Sequence, residues 1–167
     1  MRVLKTPLSE EEIKSLNVGD MVFISGKIFC GRDAVLPKIV KAYEENRLDE
    51  FDFDLKGSLI FHTAVSQAGV GPTSSNKLEI ESSIPGLSKA GVKIHLGKGK
   101  ISEKTVEALK ENNSVYAVIP PVTALLESKT LSRKVVAFEN EGMEAFHELS
   151  VIEYPIIIAA ANGKSIY

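Results

Sequence analysis

Gly91-Val92-Lys93-Ile94-His95-Leu96 leads into the turn Gly97-Lys98-Gly99-Lys100; Ser102 then precedes a segment with Val106 and Leu109 on one face, Asn112-Asn113 ends it, and Val115–Ile119 follows. These residues specify a strand, a glycine turn, a capped helix and a second strand. Branched apolar side chains suit a buried pleated surface, apolar residues three apart line one side of a helix, and a serine oxygen accepts from a free first-turn amide. A strand, helix and strand in succession predict an α/β fold.

The flanks continue the alternation. Towards the N-terminus, Ser58-Leu59-Ile60-Phe61-His62-Thr63-Ala64 predicts one buried strand running into Gly69-Val70-Gly71-Pro72-Thr73-Ser74-Ser75, read as a loop. Earlier still, Met21 to Phe29 predicts a strand, followed by Gly31-Arg32-Asp33 and a helix carrying Ile39, Val40 and Tyr43, with Pro37 in its first turn. Were Asp33 the cap, Pro37 would lack an amide needed for the first turn, so the helix should begin later or distort there. Ser9-Glu10-Glu11-Glu12 has capping-box spacing and starts a short helix through Leu16, ended by the turn Asn17-Val18-Gly19-Asp20. Towards the C-terminus, a short helix is expected after Pro120-Pro121, and strands over Val135–Phe138 and Leu149–Ile152 are separated by Glu141-Gly142.

Composition narrows the function. At 167 residues, 44% hydrophobic and 25% charged, the chain reads as a single compact domain over 1–167 that needs no disulfide to fold. A net charge of -2 offers no cation excess for a phosphate backbone, which argues against nucleic acid. The single cysteine, Cys30, cannot by itself hold a zinc or an iron-sulfur cluster. Ile156 to Ala161 falls far short of the ~20 apolar residues of a membrane span. Met1 to Pro7 has no apolar core of a signal peptide, so a cytoplasmic protein without a membrane partner is expected.

Each candidate motif has a plain alternative. Gly69-Val70-Gly71 fails as a dinucleotide fingerprint because the third glycine falls on Ser74, and Gly97-Lys98 fails as a P-loop because Val92 and Gly99 occupy required positions. Gly71 to Ser75 is an anion cradle of amides and hydroxyls, or simply a capped helix start. Arg32 is a carboxylate-binding fork or a surface partner of Asp33, and Lys98 reaches a pocket or sits solvated on its turn. Cys30 lines a site or is a buried inert thiol. His62, His95 and His147 show no metal-ligand spacing and receive no role.

The ordered set Leu4-Lys5-Thr6-Pro7-Leu8, Gly19-Asp20 with the strand after it, Gly31-Arg32-Asp33-Ala34, Gly71-Pro72-Thr73-Ser74, Gly97-Lys98-Gly99, Gly142-Met143-Glu144-Ala145 and Tyr154-Pro155 resembles one family, from about Leu4 to Pro155. It is similar to the β subunit, or C-terminal domain, of class I iron-sulfur fumarate hydratase and L-tartrate dehydratase. The resemblance implies a swivelling β/β/α domain closing over an α subunit that carries a four-iron, four-sulfur cluster, in a hetero-oligomer. It implies a hydro-lyase active only with that subunit, converting fumarate to (S)-malate. The neighbouring expectations are the β subunit of L-tartrate dehydratase, and a non-catalytic module binding an organic anion or a partner. By the same resemblance Arg32 contacts a substrate carboxylate, Thr73 takes part in proton transfer, and Lys98 faces the substrate; Gly71 and Ser74 of the anion cradle, and Lys77, are the other substrate-binding candidates. Lys77 stands where relatives carry an arginine, Val35-Leu36-Pro37 where they often show a histidine, and Pro120-Pro121 where they often have two glycines.

Overall fold

The computed structural model describes residues 2–66, 69–73, 77–120 and 128–167, with side chains described outside 66–80. In chain order the elements are β1 (Val3–Lys5), α1 (Glu10–Lys14), β2 (Met21–Cys30), α2 (Leu36–Glu44), a 3-10 turn (Leu48–Glu50), β3 (Ser58–Phe61), β4 (Thr63–Ser66), β5 (Gly69–Thr73), α3 (Lys77–Lys89), β6 (Val92–Gly97), α4 (Glu103–Glu111), β7 (Val115–Val118), β8 (Thr130–Ala137), a second 3-10 segment (Glu139–Glu144), β9 (Phe146–Ala161) and β10 (Lys164–Ser165).

The central unit is α/β as expected. β2, β3, β6 and β7 pair in parallel in that order, joined by α2, by the β4–β5 ribbon with α3, and by α4. Parallel neighbours need crossovers, and those crossovers share one hand, so the helices gather on one face. There α3 lies between α2 and α4. Ile60 and Val92 bury against Leu36, Ile39 and Leu87, and Tyr116 against Ile84, Val106 and Leu109. The opposite side chains, Ile28, Cys30, Leu59, Phe61, Ile94, Leu96, Val115 and Ala117, enter a second core with Leu149, Val151, Tyr154, Ile156 and Ile158 of β9. β9 is antiparallel to both β7 and β2, so the pairings β2–β3–β6–β7–β9 return to β2 and close a ring around that core.

Two long strands make the closure possible. β2 pairs with β1 over Val3↔Phe23 to Lys5↔Ser25 and with β3 only at Phe29 and Cys30. The register against β9 shifts between Ile24 and Gly26, where one neighbour gives way to the other, and a bulge of this kind bends a strand. Ser25 Oγ accepts the amide of Glu153 across the shift at 2.9 Å. The apolar run Ile156 to Ala161 is the second half of β9.

Local rules held where the signals were chemical. Ser9 and Glu12 form the reciprocal capping box, Ser102 Oγ accepts from Thr105, and α2 begins at Leu36 beyond a Val35 cap, later than an Asp33 cap would allow. Three expectations are corrected. Ser58–Ala64 is not one strand: β3 stops at Phe61 and β4 starts at Thr63, leaving His62 between them. Gly69 to Thr73 is not a loop but β5, antiparallel to β4, where Pro72 is tolerated because a two-stranded ribbon is all edge. The strands predicted at 135–138 and 149–152 are parts of longer ones: β8 runs from Thr130 to Ala137 and stops before Phe138, and 149–152 lies inside β9, because cross-strand pairing extends both beyond the predicted segments. The helix expected after Pro120-Pro121 lies outside the described residues.

Gly57 shows where backbone geometry dictates a residue. Its φ is +75, and an added Cβ would lie 2.8 Å from the Leu8 carbonyl and 2.9 Å from Pro7 Cβ. Gly57→Ala is expected to destabilise the chain by about 1–3 kcal/mol, read as a lower urea midpoint at unchanged slope. An unshifted midpoint would mean that the segment from Pro7 to Leu8 moves aside at no cost.

Candidate functional site

β2, β3 and β6 end side by side. Gly31 N–H donates to the Phe61 carbonyl at 3.1 Å and His62 N–H to the Leu96 carbonyl at 2.9 Å, so Gly31, His62 and Gly97 lie at one level. Arg32, Thr63 and Lys98 each follow by one residue. With strands ~4.8 Å apart, the Arg32 and Lys98 backbones are separated by roughly 10 Å across this carboxyl edge. Thr63 opposes Thr73 in the β4–β5 ribbon, so β5 returns Thr73 to the same edge just ahead of α3. Carboxyl edges of parallel strands are where α/β folds bind ligands.

Of the six sequence candidates, Arg32, Thr73 and Lys98 are therefore brought together at backbone level. Gly71 lies in β5 and Lys77 opens α3, while the side chains of Thr73 and Lys77, and all of Ser74, lie outside what is described.

Arg32 has its ion-pair partner in Glu144, far along the chain, with Nε 3.6 Å from Oε1. That is longer than a hydrogen bond, and Nε is buried with no hydrogen-bond partner among the described residues. The guanidinium is 25% exposed and Glu144 43%, so the pair is weak and leaves the planar fork free for a better acceptor. Lys98 is exposed on its turn. A Cβ at Gly97 would lie 3.0 Å from the Tyr116 hydroxyl and 3.1 Å from its ring, so the turn packs closely on Tyr116, and Tyr116 Oη–H donates to the Gly99 carbonyl at 3.0 Å. Burial pushes the Tyr116 phenol upward, so it stays a donor and pins the turn. Glu81 of α3 accepts from Ser102 N at 2.8 Å and Thr105 Oγ1 at 2.6 Å, seating a carboxylate on the N-terminus of α4.

Two features escaped sequence reading. Glu144 stood in a quoted motif, but nothing in it announces Arg32 as its partner. His62 and His95, given no role, form a buried chain: His62 Nε2 lies 3.2 Å from His95 Nδ1, and His95 Nε2 lies 2.8 Å from Ser88 Oγ. Both rings are fully buried, and burial pushes His62 down to about 4 and His95 well below its ordinary value, so both are neutral. Cys30 points into the closed core, where burial pushes its thiol upward; it does not line the site.

The family model described as Fumarase C-terminus matches residues 2–167. The chain belongs to this family. It is 29% identical to a protein of Methanocaldococcus jannaschii provisionally named L(+)-tartrate dehydratase subunit beta, over 96% of this chain and 88% of that one. It is 33% identical to a protein of Geobacillus stearothermophilus provisionally named fumarate hydratase class I, over 68% of this chain but only 22% of that one. It is 25% identical to L(+)-tartrate dehydratase subunit beta of Escherichia coli K12, over 75% and 64% of the two chains. These fumarase C-terminus relatives bear hydro-lyase names, and two of them are named as β subunits.

Proposed function

We propose that this chain is the β subunit of a two-chain hydro-lyase that hydrates fumarate to (S)-malate and reverses it, working in the cytoplasm and only with its α subunit. The observation that carries the reading is the convergence of Arg32, Thr73 and Lys98 on one carboxyl edge. Two cations roughly 10 Å apart at the backbone suit the two ends of a small dicarboxylate. Arg32 would hold one carboxylate through its fork. Lys98 would neutralise charge that builds on the other when the neighbouring carbon loses its proton. Thr73 would move that proton, Gly71 and Ser74 would offer an amide and a hydroxyl, and Lys77 would add a point charge.

A four-iron, four-sulfur cluster does not fit this chain's donors: it needs several thiolates, and the one cysteine is buried and held protonated. The cluster is assigned to the α subunit, and no step is derived through it. Residues 1–167 are read as one swivelling β/β/α unit that closes over that subunit. No described helix is long and apolar enough to cross a membrane, and neither membrane nor nucleic acid is proposed as a partner.

L-tartrate dehydration is the second reading, favoured by the relatives of similar length that are named as separate β subunits. Co-expression with a cluster-bearing α chain under anaerobic conditions, with fumarate, malate and L-tartrate assayed, tests both. Turnover by the complex and none by the colourless isolated chain is expected. Turnover of L-tartrate alone selects the second reading, and a complex inactive on all three leaves a non-catalytic organic-anion or partner-binding module.

A further inference from the structure

The His62–His95–Ser88 chain ends on an atom that bonds to none of the described residues. Among the described residues Nδ1 of His62 has no hydrogen-bond partner, although the residue is 0% exposed. A buried polar atom in that condition calls for a water, an ion or a ligand. Its location is informative: His62 stands between the ends of β3 and β4, flanked by the levels of Gly31 and Gly97, one residue before the Thr63 that opposes Thr73. Nδ1 is covalently the ring nitrogen nearer the backbone, and the His62 backbone stands at that edge, while Nε2 lies 3.2 Å from His95 Nδ1.

We infer that His62 is a further substrate-binding residue of the carboxyl-edge site, donating Nδ1–H to a carboxylate oxygen, with His95 and Ser88 holding it in that tautomer. The inference rests on the dicarboxylate reading above. In the polarity we infer, Ser88 Oγ–H donates to His95 Nε2 and His95 Nδ1–H donates to His62 Nε2, which leaves the remaining proton on His62 Nδ1. Every dipole points the same way, so an anion meets a donor that carries no buried charge. The opposite polarity would present a lone pair to the carboxylate and repel it.

Two isosteric variants separate this role from packing. In His62→Asn the side-chain amide sits about where Nδ1 does, keeping a donor at the edge and giving up the link to His95. In His62→Gln the amide sits about where Nε2 does, keeping the link and giving up the edge donor. If His62 binds substrate, KM for the dicarboxylate in the assembled enzyme rises about tenfold or more in His62→Gln and much less in His62→Asn. If the ring only satisfies His95, the Gln variant is the better tolerated and the order reverses, which overturns the inference, as do equal constants in wild type and His62→Gln. Nitrogen-15 spectra of histidine-labelled full chain supply a readout apart from turnover: Nδ1 of His62 protonated and Nε2 bare is expected, and the reverse overturns the inference. An Arg32→Ala loss without a His62→Gln loss removes the histidine alone. A wild-type complex inactive on all three dicarboxylates removes the proposed function and this inference with it.

Discussion

Arg32→Ala is expected to lower kcat/KM for the dicarboxylate in the assembled enzyme by roughly 30-fold to several thousand-fold. Truncating one member of a desolvated charge pair costs about 2–5 kcal/mol, and each 1.4 kcal/mol is about tenfold. The free chain should hardly register the change. Arg32 is tied to Glu144 by a half-exposed contact of 3.6 Å, and such pairs contribute ~0–1 kcal/mol. A large kinetic effect beside a nearly unchanged unfolding midpoint is therefore the expected signature. Arg32→Lys should fall between, because the charge survives and the two parallel hydrogen bonds do not. Equal kcat/KM in Arg32→Ala and wild type would return Arg32 to an ordinary surface pair.

The second large effect is on stability in mild acid. His62 and His95 are neutral when folded because burial disfavours their charged forms, but in the unfolded chain both titrate near 6.5. Above that pH neither state binds the proton and the histidines do not matter. Below it the unfolded chain takes up protons that the native state refuses, so stability falls with pH, at most about 1.4 kcal/mol per unit for each ring. The loss runs from 6.5 down to the folded value of about 4 for His62. For that ring alone it is on the order of 3 kcal/mol, a large share of the 5–15 kcal/mol that holds a typical domain together. Glu10, held below the usual carboxylate range chiefly by Lys93 and Asn113, weakens the fold only at lower pH, once it protonates. Urea midpoints followed across that window should drop in the wild type and drop much less in His62→Gln/His95→Gln, where only His147 among the histidines, also held below its ordinary value by burial, still adds to the slope. A wild-type midpoint that stays level down to the lower limit would show that the unfolded rings are not protonated first.

Several of these features were legible one residue at a time. The capping serines, the late start of α2 forced by Pro37, the turn at Gly97-Lys98-Gly99 and the alternation of strands with helices depend on groups a few positions apart, so local chemistry declares them. The order of motifs was enough for the resemblance on which the roles of Arg32, Thr73 and Lys98 first rested, and the match over residues 2–167 agrees with it.

What the sequence alone determined is thus the α/β class, the caps and turns, the family, and a set of cations and hydroxyls with no address. What only the tertiary structure decided is where they meet. β5 was read as a loop because glycine and proline disfavour strands locally, yet pairing with β4 makes it one and sets Thr73 opposite Thr63. The ring of strands closes through β2 and β9, residues more than a hundred positions apart, and no local preference encodes that register. The parallel register of β3 on β6 puts His62 against His95, α3 brings Ser88 to the far side of His95, and Nδ1 of His62 is left without a hydrogen-bond partner among the described residues. Hydrogen-bond satisfaction and burial are properties of the packed whole. A histidine in a strand-like run says nothing about them until its neighbours from other strands and helices are in place.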